Sequence, residues 1–404
     1  MSWPASRAAG LVRLEDWIPR SGRSYQSRRN FDLGPTARDN VSGLSPYLRH
    51  RLLTEPEVLE AVLSAHSPSA ADKFLQEVFW RTYWKGWLEH HPQAWRRYRS
   101  DLDALLEGPA TDEGWQAGYD RAVAGESGIA PFDGWVAELV ESGYLHNHAR
   151  MWFASIWVHT LKLPWVLGAD FFLRHLLDGD PASNTLSWRW VVGLHTAGKT
   201  YLARPDNIAR YTDGRFADTP GLAAKAEALQ EPPVAHEGLS LPDAAVPIGG
   251  RLGLLLTDED LSLPVLGTNP VSVKGVSLAE RRSPRGASAR VTAFAAGAIA
   301  DALGRSRDQY GCTVDEGIAD GKAGAVLGWA QLEHIDSVLM SYPTVGPARD
   351  FHDELAASLR SAGVAVELLI SDYDRLCWPH ADRGYFKLRK RIPELLAELG
   401  IMKA

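Results

Sequence analysis

Four short stretches gather the side chains able to do chemistry. In FLQEVFWRTYW, Glu77, Trp80 and Arg81 stand at i, i+3 and i+4. One helical face would then carry a carboxylate, an indole and a guanidinium, a set that can hydrogen-bond and stack a planar base. The plainer alternative is an amphipathic helix that buries Trp80 and leaves Glu77 and Arg81 as a solvated pair. GYLHNHARM repeats the spacing with Asn147, Arg150 and Met151, and LLDGDPASN supplies Asp178 and Asp180 further along. Arg150 and Asp178 pair if their helices face each other, which spacing alone leaves open. Asn184 and Trp188 are again i and i+4, with Trp190 close by in SWRW. Trp165, Trp188 and Trp190 fit a packed aromatic core equally well.

The stretch DNVSGLSPYL places Ser42 and Ser45 where a helix can begin, with Pro46 suited to its first turn. Hydroxyls and free backbone N–H groups at such a start hold anions, although a simple helix cap needs the same residues. Neither the phosphate-loop nor the dinucleotide glycine signature occurs, so a nucleotide cofactor would have to be held in another way. His146 and His148 flank Asn147, and no metal-ligand set accompanies them.

These side chains need elements to position them. Apolar residues recur at helical spacing in 55–64, 70–90, 131–142 and 147–161, and the first 215 residues read as all-α. Five prolines lie between Pro220 and Pro247, a composition that favours extended chain and marks a linker over 219–250. Beyond it, short apolar runs at 252–256, 337–341 and 364–370 read as strands, with helical patterns at 287–303, 323–334, 346–362 and 385–399. The expected architecture is an all-α domain over 1–218, the linker, and a smaller α/β domain over 251–404.

Composition narrows the function classes. The 404 residues are 45% hydrophobic and 23% charged, with no apolar run long enough for a membrane span. Residues 1–14 lack the apolar core of a signal peptide, so a cytoplasmic protein is expected. Only Cys312 and Cys377 are present, which excludes a disulfide framework and a cysteine-held metal cluster. The net charge of −7 argues against indiscriminate polyanion binding but permits local basic clusters, as at Arg20, Arg23, Arg28 and Arg29 or Arg96, Arg97 and Arg99.

Taken together, the four stretches resemble the FAD-binding domain of the DNA photolyase and cryptochrome superfamily over about residues 36–210, in order and nearly in spacing. The resemblance implies FAD as cofactor, active as the reduced FADH−, with Ser42, Leu44, Ser45 and Arg81 among the residues that hold it. It implies that Arg150 and Asp178 pair beside the isoalloxazine, that Asp180 lies near the ribose and ring edge, and that Asn184 faces the flavin N5. Glu77, Trp80, Asn147 and Met151 match residues that contact a flipped thymine dimer, and Met151 with Asn147 is the cyclobutane-dimer pattern. The implied activity is light-driven repair of cyclobutane pyrimidine dimers in UV-damaged DNA, with a cryptochrome-type blue-light receptor as the alternative. Trp188 and Trp165 match the first two positions of the family's photoreduction relay. Ala122 stands where the distal Trp belongs, so Tyr119, Trp115 or Trp157 is the expected substitute. Val41 replaces the Thr that usually precedes the phosphate-binding Ser.

Most superfamily members place an α/β antenna domain before the flavin domain, whereas here the α/β part follows. This order resembles a small bacterial photolyase group with an N-terminal catalytic domain, whose members favour dimers in single-stranded DNA. LGLLLTDEDLSLP and WPHADRGYFKLRKRI also resemble superfamily segments. No antenna-chromophore motif is present, so the second domain is expected to pack against and shield the flavin pocket of a monomer.

Overall fold

Two caps start the helices that carry the chemistry. Thr54 accepts a hydrogen bond from the Glu57 N–H while the Glu57 carboxylate accepts from the Thr54 N–H, and the helix Glu55–Ala65 begins. Ser67 caps the long helix Pro68–His90 through the Ala70 N–H. In the computed structural model, which describes residues 2–108, 115–242 and 250–402, every regular element described before residue 212 is a helix. The helix Asn147–Ser155 runs on into a widened π turn, Ile156–Thr160.

Aromatics fill the helical core. Trp95, Trp135, Trp152, Trp157, Trp165 and Trp188 are all buried there. Their packing demands a glycine at 168: a Cβ at that position would lie 2.3 Å from Trp188 and 3.0 Å from Trp157.

The second part carries a parallel five-stranded sheet of β1 (Leu252–Thr257), β2 (Ser272–Val276), β3 (Thr313–Ala319), β4 (Ser337–Ser341) and β5 (Ala365–Leu369). The strand order is β3-β2-β1-β4-β5. Helices Ala289–Tyr310, Ala323–Leu332 and Pro347–Ser361 make the crossovers. In β1, Leu252, Leu254 and Leu256 face a core shared with the helical part, and Leu255 faces the opposite layer under Trp329 and Phe351.

The sequence reading found β1, β4 and β5 but not β2 or β3. Lys274 in β2 broke the apolar run because it is a buried lysine that forms a cross-strand pair with the half-buried Asp315 of β3, at 2.5 Å. The stretch read as a linker is also more tied down than its composition implies. Residues 219–242 have no regular structure yet run as a strap along the helices: Leu229 N–H donates to Val192, Glu237 N–H to His90, and Arg189 pairs with Glu231. Residues 243–249 of that stretch, and 403–404 at the end of the expected second domain, lie outside the described residues.

The two parts meet at charged side chains. Arg49, His50 and Arg51, which follow the short helix start at Ser45, enter the carboxyl end of β1, where Asp258, Glu259 and Asp260 receive them. Arg51 also pairs with Asp374, and Asp258 with the fully buried Arg282 at 3.1 Å. The neutral His50 ring donates from Nδ1 to the Asp258 carbonyl at 2.6 Å. Burial first, then Arg49 and Arg282, push its pKa down to about 3.

This histidine links stability to pH. Its folded pKa lies below the ordinary value near 6.5, so below that pH the unfolded chain binds the extra proton and stability falls with acidification. We expect the urea midpoint to drop between pH 7 and 5, and to drop less steeply in His50→Gln. Equal pH slopes in the two proteins would remove His50 from this role.

Candidate flavin site

The turn Asp178–Gly179–Asp180 is the point where the four chemical stretches meet. Arg150, from the helix Asn147–Ser155, donates to Asp178 at 2.8 Å. Arg81, from Pro68–His90, donates to Asp180 at 3.0 Å and also reaches Glu55 at 3.3 Å. Arg49, next to the Ser42 and Ser45 stretch, donates from Nε to the Gly179 carbonyl at 2.8 Å. Asp180 then caps the helix Pro181–Val191 through the Ser183 N–H at 2.7 Å. That helix carries Asn184 and Trp188, so the turn fixes their direction.

Burial alone would raise the Asp180 carboxyl, but Arg81, Lys85 and Arg49 outweigh it and hold the group well below the usual carboxylate range. Asp178 spends one oxygen on Arg150, and its Oδ1 is buried without a partner. Asn184 donates from Nδ2 to the Ala169 carbonyl at 2.8 Å, and its Oδ1 has no protein partner among the described residues. Ser42 Oγ accepts from the Leu44 N–H at 3.3 Å, and Ser45 and Arg150 are half-buried. Unspent acceptors beside a half-open guanidinium suit a polar planar group with its own donors, as a flavin ring is.

The lesion-face residues are only partly gathered. Asn147 is exposed, and Met151 lies one turn on, half-buried. Glu77 pairs with Arg29, and burial raises its pKa despite that cation. Trp80 is not an open platform: the Tyr385 ring stacks on it with centroids 3.6 Å apart and planes 13° from parallel. Tyr385 opens the helix Tyr385–Glu398 and donates to the Gln76 carbonyl at 3.0 Å.

The expected relay residues are likewise placed unevenly. Trp188 meets Trp157 edge-on at 6.2 Å, and Trp157 meets Tyr119 at 5.9 Å. The ring beside Trp165 is Tyr98, at 5.7 Å. Arg49, Glu55 and Tyr385 contact these residues and were not assigned to the site from the sequence, whereas Trp157 was one of the three expected relay substitutes. Arg49 lies just past the serine motif, where its neighbours gave the only signal. Among the described residues no cluster of His, Cys, Asp or Glu could hold a metal ion.

Comparison with known proteins now gives this arrangement a class. Residues 74–216 match the FAD binding domain of DNA photolyase. A deoxyribodipyrimidine photo-lyase of Streptomyces griseus is 30% identical over 258 residues, covering 59% of this chain and 52% of that protein. One from a Synechococcus strain is 29% identical over 196 residues, covering 45% and 37%. A crystal structure of a bacterial class III photolyase from Agrobacterium tumefaciens aligns with 52% of this chain and 43% of that one, at 25% identity and a TM-score of 0.43. Through residues 74–216 the chain is thus similar to the FAD-binding part of DNA photolyases. It spans about half or less of the length of these relatives.

The three-arginine grip yields a stability test. Removing Arg81 leaves Asp180 and Glu55 buried with less compensation, so Arg81→Met should cost about 3 to 5 kcal/mol in urea unfolding. A loss below about 1 kcal/mol would show that the grip does not organise the turn.

Proposed function

We propose that the chain repairs cyclobutane pyrimidine dimers in DNA under light, using reduced FAD. The observation that carries this reading is the Asp178–Gly179–Asp180 turn inside the matched FAD-binding domain, whose first residue holds Arg150 and whose last caps the helix that carries Asn184. Reduced FAD, when bound, supplies the light-excited electron that opens the dimer and is afterwards recovered.

The chain's own residues bind and orient. Ser42, Leu44 and Ser45 would hold the phosphate end, while Arg150, Asp178, Asp180 and Asn184 would hold the ring and ribose, with Arg81 supporting the cofactor through Asp180. Glu77, Asn147 and Met151 would contact the lesion beside Trp80. Photoreduction would run from Trp188 through Trp157 to Tyr119, since those rings touch in sequence. Single-stranded DNA is the favoured substrate in this reading. An unpaired lesion needs no duplex disruption before it enters a face narrowed by Tyr385.

The same Tyr385 contact favours a second reading, a blue-light receptor of cryptochrome type in which no lesion displaces the ring. Repair separates the two. Reduced, FAD-loaded protein under blue light should restore thymines in a dimer-containing oligonucleotide, faster in single strands than in duplex. A flavin-loaded protein that restores none would favour the receptor.

The stacked pair supplies its own test. Trp80→Ala should weaken binding of the damaged oligonucleotide by less than the roughly 1 to 3 kcal/mol of a free base stack, because the base has to displace Tyr385, and Tyr385→Ala should strengthen it. If neither variant differs from the parent protein, the lesion does not sit on Trp80.

A further inference from the structure

The helix Tyr385–Glu398 does more than cover Trp80. Its exposed side carries Phe386, a large apolar ring left 68% open to solvent. A single exposed Phe means little by itself. Here it stands among cations. Lys390 is exposed one turn on from Phe386, at the i+4 position, Lys387 is its exposed neighbour, and Arg383 precedes it with 82% of its side chain exposed. Lys390 has no ion pair among the described residues. Lys387 and Arg383 share one carboxylate, Asp382, at 2.7 and 3.8 Å.

A second basic group lies against the same long helix. Helix Arg23–Arg28 packs on Pro68–His90, with Arg23 and Arg28 exposed, and the adjoining Arg29 pairs with Glu77. Tyr385, stacked on Trp80 three residues from Glu77, anchors the Phe386 side. The Glu77 and Trp80 face therefore has cations on both sides and an open aromatic ring at one of them, although the protein as a whole carries a net charge of −7.

We propose that this band binds single-stranded DNA, with phosphates on Arg383, Lys387, Lys390, Arg23 and Arg28 and one unpaired base stacked on Phe386. Sequence-tolerant capture of single strands needs this pairing of backbone cations with a free π face. A duplex offers the phosphates but keeps its bases stacked away from Phe386. The proposal rests on the repair reading for its partner, and it assigns the sheet-bearing part a share in holding the substrate beyond covering the flavin region.

Fluorescence anisotropy with an undamaged single-stranded oligothymidylate of about 15 nucleotides tests it. Phe386→Ala should weaken binding about fivefold or more. The double variant Lys387→Ala/Lys390→Ala should make the log–log salt dependence shallower by about 1.4, two single-strand phosphate contacts. All these side chains are solvent-facing, so unchanged far-ultraviolet dichroism is expected and separates binding loss from misfolding. Parental affinity and salt slope in both variants would overturn the proposal. A thymine-dimer dinucleotide, too short to reach Phe386, should be repaired equally by parent and variants. Its non-repair by the parent would overturn the repair reading alone, and a repair defect confined to Phe386→Ala would place that residue in the lesion site and overturn its role as a distal contact.

Discussion

Three arginines closing on one turn are the constraint from which the rest follows. Arg49, Arg81 and Arg150 come from three separate helical stretches and each spends donors on Asp178, Gly179 or Asp180. Three cations in a buried space would repel one another without those carboxylates, and Arg81, Lys85 and Arg49 keep the buried Asp180 ionised against the pull of desolvation. Neither half of the arrangement is stable alone. Because Asp180 is also the cap of Pro181–Val191, the electrostatic balance is converted into geometry: it sets where that helix begins and where Asn184 and Trp188 point.

The same balance recruits the sheet. In an open parallel sheet, the gap at the carboxyl ends of the strands where the order reverses is the usual ligand position, and here the order reverses between β1 and β4. Arg51 and Lys85 of the helical part line that gap together with Glu259, Asp260, Tyr342 and Asp374. Arg51 spends its guanidinium on Asp260 and Asp374, and Arg49 uses the neighbouring Glu259. The end of the sheet thus serves as a counter-charge for the helical part. It holds Arg49 in line with Gly179, so the Asp178–Gly179–Asp180 turn depends on a strand that lies far from it in sequence.

What could be read from the sequence follows the range of the interactions. Helix positions were legible from periodicity, and the Arg150–Asp178 contact only from the family resemblance, because spacing alone left it open. β1, β4 and β5 were legible as apolar runs, whereas β2 and β3 were not, because a lysine and an aspartate pairing across the ladder look like surface residues in one dimension. The strap 219–242 looked like free chain because its partners, such as Val192 and His90 for its backbone and Arg189 for Glu231, lie far from it in sequence, where no local pattern records them. Tyr385 was invisible as a site residue for the same reason: a residue separated from Trp80 by most of the chain can meet it only through the fold.

That last contact decides how the site can work. A ring stacked at 3.6 Å and 13° already satisfies the Trp80 face, and its hydroxyl is tied to the Gln76 carbonyl. Any base arriving at Trp80 must exchange one stacking partner for another, so the net gain is smaller than the roughly 1 to 3 kcal/mol of a free stack. The difference has to come from elsewhere on the substrate, through contacts a short lesion alone cannot make. A strand that also meets cations on both sides of the face can supply it, because each phosphate contact adds affinity that does not depend on the stack. In the proposed repair reading, Tyr385 would thereby turn a platform open to any planar ring into one that yields to a ring delivered on a polyanionic strand.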